Sequence, residues 1–213
     1  MPMQGDGKVS WRGVVLGIQP RIRLMRSFDE RQHSYLGYLL LMRGEVGGAA
    51  RDFRLGVGKA AQAKHGFRAG DRLSGTAVPA STAKAEVADF QRAAAFRFEE
   101  RGPEAAAGGP PFLGVPPALD VYRARGHRRL NTETYQASCT ACRWGCEMPV
   151  EMVIDHWGRG PLKYRRETFC YGPKSCPAHR PGPQRKVPGR KGMSWTEEDW
   201  VDEEATAHRG PDD

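Results

Sequence analysis

Alternating apolar and polar positions near the N-terminus predict a long β-strand. From Val14 to Leu24 apolar side chains recur at every second position, with Gln19, Arg21 and Arg23 on the other face. This is the period of a strand with one buried face. Gly17 and Pro20 interrupt the pattern, which favours a strand that bends or bulges. The predicted buried face consists of Val14, Leu16, Ile18, Ile22 and Leu24.

The same reasoning predicts four more strands and one helix in the first hundred residues. Strands are predicted over residues 35–42, 53–57, 73–78 and 95–99. Between the third and fourth strands, Lys59 to His65 is alanine-rich and predicts a short helix, which Gly66 ends. Residues 82–95 fit either a helix or a loop.

Three strands, a short helix and two more strands resemble the OB-fold, a five-stranded Greek-key barrel. The resemblance covers residues 8–100, and another small β-barrel is the alternative. It implies a ligand face on the second and third strands with the neighbouring loops. The residues nominated for nucleic-acid contact are Arg21, Arg23, Tyr35 and Arg54 on the barrel, with Lys59 and Lys64 on the helix. The arginines fit a solvated strand face equally well, and any one tyrosine is favoured as a core residue.

All five cysteines fall within one short stretch of the chain. Two clusters flank two alternating segments, Val150–Asp155 and Lys163–Phe169, which predict a β-hairpin. Two ligands on a tight turn, a hairpin and two further ligands are how a small module gathers four thiolates around one metal. The cysteines are Cys139, Cys142, Cys146, Cys170 and Cys176.

This layout resembles a zinc ribbon, which implies a structural Zn²⁺ site. The resemblance assigns the metal to Cys139, Cys142, Cys170 and Cys176, with Cys146 as an alternate ligand and His156 or His179 as weaker substitutes. The chain departs from the usual pattern in its fifth cysteine and in the five residues that separate the last two. Four thiolates also suit an iron–sulfur cluster, which is the alternative cofactor. A closed structural site leaves no open position for a substrate.

The segments around the cysteines are rich in charge. Arg123, Arg125, Arg128 and Arg129 form the densest basic cluster, and they are predicted to lie on a strand or arm that contacts phosphate. A solvated edge strand is the alternative. Ser194 and Glu197 predict a capping box for a short acidic helix that carries Trp195 and Trp200. These tryptophans are candidates for contact with a protein partner or with the body of the protein itself.

Composition narrows the class of protein. The chain of 213 residues carries a net charge of +8, yet eight acidic residues follow Ser194 against the single Arg209. A basic body with an acidic tail is compatible with nucleic-acid binding. The sequence contains no run of about 18 apolar residues, so no transmembrane helix is predicted. The first residues lack an apolar signal core, and an odd number of cysteines does not suggest a disulfide framework, so a reducing cytoplasm is expected.

The sequence therefore predicts a mainly β protein: an OB-like five-stranded barrel, a small zinc-ribbon-like β module and a short acidic C-terminal helix or tail. The predicted boundaries are residues 1–100 for the barrel, 101–120 for a Gly/Ala/Pro-rich linker, 121–180 for the cysteine module and 181–213 for a basic linker and acidic tail. The expected function is binding of single-stranded or structured RNA or DNA. An adaptor or assembly factor and an iron–sulfur redox protein are the alternatives. No residue is nominated as catalytic, because no catalytic motif is present; Gly56 to Lys59 lacks the spacing of a phosphate-binding loop.

Overall fold

A computed structural model describes residues 7–27, 30–104, 108–155 and 162–213, and its elements are mainly strands. Within these ranges the order is β1 (Val9–Ser27), β2 (Arg31–Val46), β3 (Ala49–Val57), α1 (Lys59–His65), β4 (Arg72–Pro79), β5 (Phe90–Glu100), α2 (Leu119–Arg125), β6 (Arg128–Arg129), α3 (Thr132–Thr134) with a π-helical turn (Tyr135–Cys139), β7 (Gly145–Val153), β8 (Lys163–Cys170), β9 (Arg185–Pro188), a 3₁₀ turn (Arg190–Gly192), β10 (Ser194–Glu197) and α4 (Asp199–Thr206).

The first five strands close into a ring. β1 pairs antiparallel with β2 and β4, β2 with β3, and β4 with β5, while the parallel contact between β3 and β5 closes the barrel. With α1 between β3 and β4, this order is that of the OB-fold, so the predicted mainly β fold with a five-stranded barrel is confirmed.

The first strand bends through two register shifts against β2. They lie between Val15 and Gly17 and between Arg21 and Ile22. An extra residue in one strand moves the following side chains to the opposite face. As a result Val15 is buried, while the predicted Val14 and Leu16 are only partly buried. Gln19, predicted to be on the polar face, is also buried.

The helix prediction holds to the residue. α1 spans Lys59–His65 and Gly66 follows in the left-handed conformation (φ 52°), which a glycine adopts without steric cost. The fifth strand begins earlier than predicted, at Phe90, and residues 80–89 form the loop between β4 and β5. This loop lies beside the ligand face of an OB-like barrel.

The cysteine-bearing hairpin extends the barrel sheet. β7 and β8 pair from Gly145 with Cys170 onward, and β7 also pairs in parallel with the end of β1, from Leu24 with Val150. β6 adds to the outer edge of β8. One apolar cluster runs from the barrel into the hairpin, where it includes Met148 and Phe169. Barrel and hairpin therefore share both a sheet and a core.

The segment after the barrel is docked along it. The amide of Gly102 donates to the Asp71 carboxylate (2.9 Å), and Tyr38 donates its hydroxyl proton to the carbonyl of Pro117 (2.9 Å). Tyr38 is buried. Among the described residues, no helix has the length and apolar character needed to cross a bilayer.

Of two local predictions in the C-terminal half, one is wrong and the other holds for half of its residues. Ser194–Glu197 is not a helix start, because it pairs antiparallel with Arg185–Pro188; α4 begins after it, at Asp199. Half of the basic cluster is helical rather than extended: Arg123 and Arg125 lie on α2, whereas Arg128 and Arg129 form the short strand β6. Pairing with another strand decides the local structure of Ser194–Glu197 and of Arg128–Arg129.

Candidate functional site

A groove of about 420 Å³ lies between β3, the β4–β5 loop and the β7–β8 hairpin. Its charged lining consists of Arg51, Arg54, Glu86, Asp89, Glu147 and Arg166. In an OB-like barrel the third strand and the β4–β5 loop border the usual ligand face. The groove is therefore at the position where this barrel type binds its ligands, with the hairpin as an added wall.

Arg54 is fixed on the β3 side of the groove. Its Nη1 lies 2.9 Å from Glu147 Oε2 on β7, and its amide donates to Asp89 Oδ2 (2.7 Å). About a third of the side chain (35%) is exposed. The guanidinium has five N–H donors, so the bond to Glu147 leaves donors for an incoming oxyanion.

Arg166 joins the hairpin to the β4–β5 loop. Its Nη2 donates to the carbonyl of Ala83 (2.6 Å) and to that of Glu86, and its Nη1 lies 3.7 Å from Glu147 Oε1. Glu147 thus stands between two arginines, one from the barrel and one from the hairpin. The three side chains form a charged row of Arg54, Glu147 and Arg166 across the groove.

The acidic groups of the groove are engaged within the protein. Glu86 Oε1 accepts the amides of Val87 (2.9 Å) and Ala88 (3.1 Å) and lies 3.5 Å from Arg21 Nε. Asp89 and Glu147 are held by the contacts to Arg54. Arg51 is exposed on the rim, with its guanidinium carbon 5.8 Å from the Phe90 ring centre. Arg21 and the three lining arginines carry four positive charges against three carboxylates, so the groove has a net charge of +1.

The remaining barrel nominees lie outside the lining of this groove. Arg23 is partly buried on β1, and Lys59 and Lys64 are exposed on α1. The Arg123 guanidinium lies over the ring of partly buried Tyr35, 4.8 Å from its centre. The structure brings Arg21 and Arg54 together and leaves these other residues apart from them.

The other arginines of the basic cluster hold backbone and tail. Arg125 Nε donates to the carbonyl of Tyr171 (2.8 Å), and Arg128 Nη2 donates to that of Pro173 (2.8 Å). Arg129 is 1% exposed and pairs with Asp199 (2.5 Å) and Asp202 (3.0 Å) of α4. The acidic tail is thus bound to Arg129, one of the four arginines that the sequence offered for phosphate.

The tryptophans of the tail differ in exposure. Trp195 on β10 packs partly buried against the core, whereas Trp200 on α4 is 51% exposed. Of the two nominated partner contacts, Trp200 alone presents a large apolar surface to solvent.

A second site lies where the two cysteine loops meet. The amide of Cys142 donates to the carbonyl of Cys139 (3.1 Å), and the amide of Gly145 to that of Cys142 (3.0 Å). The amide of Tyr171, which follows Cys170, donates to the carbonyl of Trp144 (2.9 Å). These bonds bring the first loop and the end of β8 together backbone to backbone.

Gln19 is a site residue that the sequence pattern missed. Its Nε2 donates to the carbonyls of Cys139 (2.7 Å) and Cys142 (3.2 Å), and its Oε1 accepts the hydroxyl proton of Tyr135 (2.8 Å). The β1 strand of the barrel therefore positions the first cysteine loop. A polar residue on a strand whose apolar alternation is broken by glycine was the only signal available in the sequence.

Burial and mutual repulsion disfavour the ionised thiols. Burial, then the charges of Cys142, Cys170 and Cys176, raise the pKa of Cys139 to about 12. Burial also raises the pKa of Cys142 and of Cys170, against the opposing effect of backbone amides. The four sulfurs thus interact electrostatically with one another.

Cys146 stands apart from these four. It is fully buried and its Sγ donates to the carbonyl of Pro20 (3.4 Å). Burial, then the charge of Glu147, raises its pKa well above the usual range. His179 Nε2 lies 3.2 Å from the carbonyl oxygen of Arg129, and His156 is outside the described residues. As placed in this structure, no three His, Cys, Asp or Glu side chains of the described residues already form a group that could hold a metal ion.

No family model, curated protein or solved structure matches this chain. Fold resemblance alone does not assign an activity, so the chemistry of the groove and of the cysteine loops carries the functional argument.

Proposed function

We propose that this protein binds single-stranded nucleic acid in the groove between β3, the β4–β5 loop and the hairpin. The observation that carries the proposal is the convergence of Arg51, Arg54 and Arg166 at the ligand face of a closed five-stranded barrel. OB-like barrels combine a positively charged groove with planar side chains that stack on bases. Arginine supplies both a charge and a plane.

The binding step is an exchange of partners. Backbone phosphates compete with Glu147 for Arg54 and Arg166, which lie 2.9 Å and 3.7 Å from its carboxylate oxygens. Arg51, exposed on the rim, takes up the next phosphate or stacks on a base. The groove volume of about 420 Å³ lies at the low end of ligand sites, which suits one nucleotide unit with the rest of the strand outside. Binding of this kind is modest, with dissociation constants of about 10⁻⁶–10⁻⁴ M at physiological salt, and depends strongly on salt.

The test is fluorescence anisotropy of labelled dT and U 12-mers over a range of salt concentrations. Arg51→Gln should weaken binding and reduce the salt slope by about 0.7, the value for one phosphate contact on a single strand. Arg12→Gln is the matched control, because Arg12 is another exposed arginine, paired with Glu45 (2.9 Å) and outside this groove. Equal losses in both variants, or no binding at low salt, would refute the groove as the site.

A protein partner is the second candidate, and the exposed Trp200 favours it. An oligonucleotide affinity that is absent at low salt would leave an adaptor or assembly role as the better proposal. For either role we propose a reducing cytoplasm as the location, supported by five cysteines that are all free.

A further inference from the structure

The two cysteine loops share the geometry of paired metal-binding knuckles. The first loop turns through Cys139 and Cys142, and Gly145 then pairs directly with Cys170 across the hairpin. A Cβ on Gly145 would lie 2.6 Å from the carbonyl oxygen of Cys139, so only a glycine permits this approach. Cys176 follows on a turn closed by its own amide, which donates to the carbonyl of Pro173 (3.2 Å).

A backbone amide points at one of these sulfurs. The amide of Gly172 donates to Cys170 Sγ at 3.3 Å. Hydrogen bonds of this kind favour the charged form of a thiol. The charge of Arg128 acts on Cys170 in the same direction.

The first cysteine loop and the end of β8 are thus held together by backbone bonds, and a backbone amide is directed at one of their sulfurs. A metal ion bound there replaces the four thiol protons, which pass to solvent, and its charge offsets the repulsion among the sulfurs. Soft thiolate donors select zinc or an iron–sulfur cluster, and the amide-lined turns with four separate sulfurs suit one tetrahedral ion. Zinc would draw the sulfurs to about 2.3 Å from the ion.

We propose that Cys139, Cys142, Cys170 and Cys176 bind one zinc ion, and that the bound ion fixes the loop on which the C-terminal segment 209–213 is docked. Cys146 takes no part, because its sulfur faces the carbonyl of Pro20.

The second half of the proposal rests on the loop between the last two ligands. Arg209 Nη1 donates to the carbonyls of Tyr171 (3.2 Å) and Gly172 (3.1 Å). Ser175 donates its amide to the carbonyl of Pro211 (2.8 Å) and its hydroxyl proton to Asp212 (2.6 Å). Residues 171–175 therefore form the docking loop for the tail, and Cys170 and Cys176 bracket it. Release of the metal frees both ends of the docking loop at once.

Metal content of the full-length protein, purified without oxygen, tests the first half. We expect one zinc per chain in the parent and in Cys146→Ser, and less than about a fifth of that in Cys142→Ser and Cys176→Ser. Titration of the metal-free proteins with Co²⁺ should give the absorption of a tetrahedral four-thiolate site in the parent and in Cys146→Ser, but not in Cys142→Ser or Cys176→Ser. A brown protein with iron and sulfide, no bound metal, or loss of zinc in Cys146→Ser would overturn the assignment.

Hydrogen exchange before and after removal of zinc by a chelator tests the second half. The amides of residues 171–176 and 209–213 should lose protection, while those of β2 and β3 keep theirs. Unchanged protection of the tail, or equal loss throughout the chain, would contradict a local effect of the ion. The barrel strands serve as the internal reference within one sample.

Discussion

Arg26 is a fully buried cation that depends on carboxylates from two distant parts of the chain. Its side chain is 0% exposed. Nη1 lies 2.8 Å and 2.9 Å from the two oxygens of Glu167 on β8, and Nη2 lies 3.0 Å from Glu197 Oε2 on β10. We expect Glu167→Gln to destabilise the protein strongly, because the substitution keeps the size of the side chain and removes its charge.

The expected loss of stability depends on which arginines lose a partner when each carboxylate is removed. Glu167 also pairs with Arg185 (2.9 Å) and Arg165 (2.5 Å), so its loss leaves three arginines short of one negative charge. Removal of one partner from a buried pair costs about 3–5 kcal/mol. Loss of Glu197 leaves Arg26 with both oxygens of Glu167, so we expect the cost of a hydrogen bond to a charged group, about 1.5–3 kcal/mol.

Urea unfolding followed by tryptophan fluorescence measures both effects. The midpoints should fall in the order Glu45→Gln, Glu197→Gln, Glu167→Gln, at an unchanged m value. Glu45 is the control, since it pairs with Arg12 at the surface and such pairs contribute about 0–1 kcal/mol. A Glu167→Gln protein within about 1 kcal/mol of the Glu45→Gln protein would refute the reasoning.

Two further predictions concern pH and ligand affinity. Burial, then the charges of Arg31 and Arg26, lowers the pKa of His33 from 6.5 to about 4. Between these two values the unfolded chain binds a proton that the folded chain excludes. The stability that His33 contributes above pH 6.5 is therefore lost as the pH falls toward 4. His33→Gln should flatten this dependence of the urea midpoint on pH. Glu147→Gln frees Arg54 and Arg166, so it should raise oligonucleotide affinity by roughly threefold and steepen the salt slope.

Each of these predictions has a result that contradicts it. His127 lies against His33, with ring centres 5.0 Å apart, and its pKa is lowered well below the usual value by burial first. A His33→Gln protein with the parental pH dependence would show that His127 or another group dominates. For affinity, Glu45→Gln is again the control; an equal gain there would mean that net charge, and not the groove, is responsible.

Local signals in the sequence were enough for the barrel. The alternation over β1 and the glycine after α1 are set by the backbone itself, so the strand order and the end of the helix could be predicted. The inward face of β1 could be predicted for Ile18, Ile22 and Leu24 but not before Gly17, because the register shift after Val15 depends on the partner strand. Gln19 was missed because the cysteine loop, distant in sequence, covers that face of the strand.

The structure of the C-terminal half depends on contacts that the local sequence pattern does not reveal. Arg129 meets Asp199 70 positions later, which turns a predicted phosphate contact into an anchor for the tail. Ser194–Glu197 has the residues of a capping box but pairs with Arg185–Pro188 instead. The four metal ligands that the cysteine spacing nominates stay a prediction, as does the metal itself.

The pairing of β1 with β7 decides where this chain can be divided. The 19 residues of β1 pair with three strands, β2, β4 and β7. A fragment that ended at residue 104 would expose the hydrogen-bonding edge from Leu24 to Ser27. It would also leave the buried Arg26 cation without its partners Glu167 and Glu197. Bare strand edges recruit other chains. A barrel expressed alone should therefore self-associate, even though its ring of strands is complete.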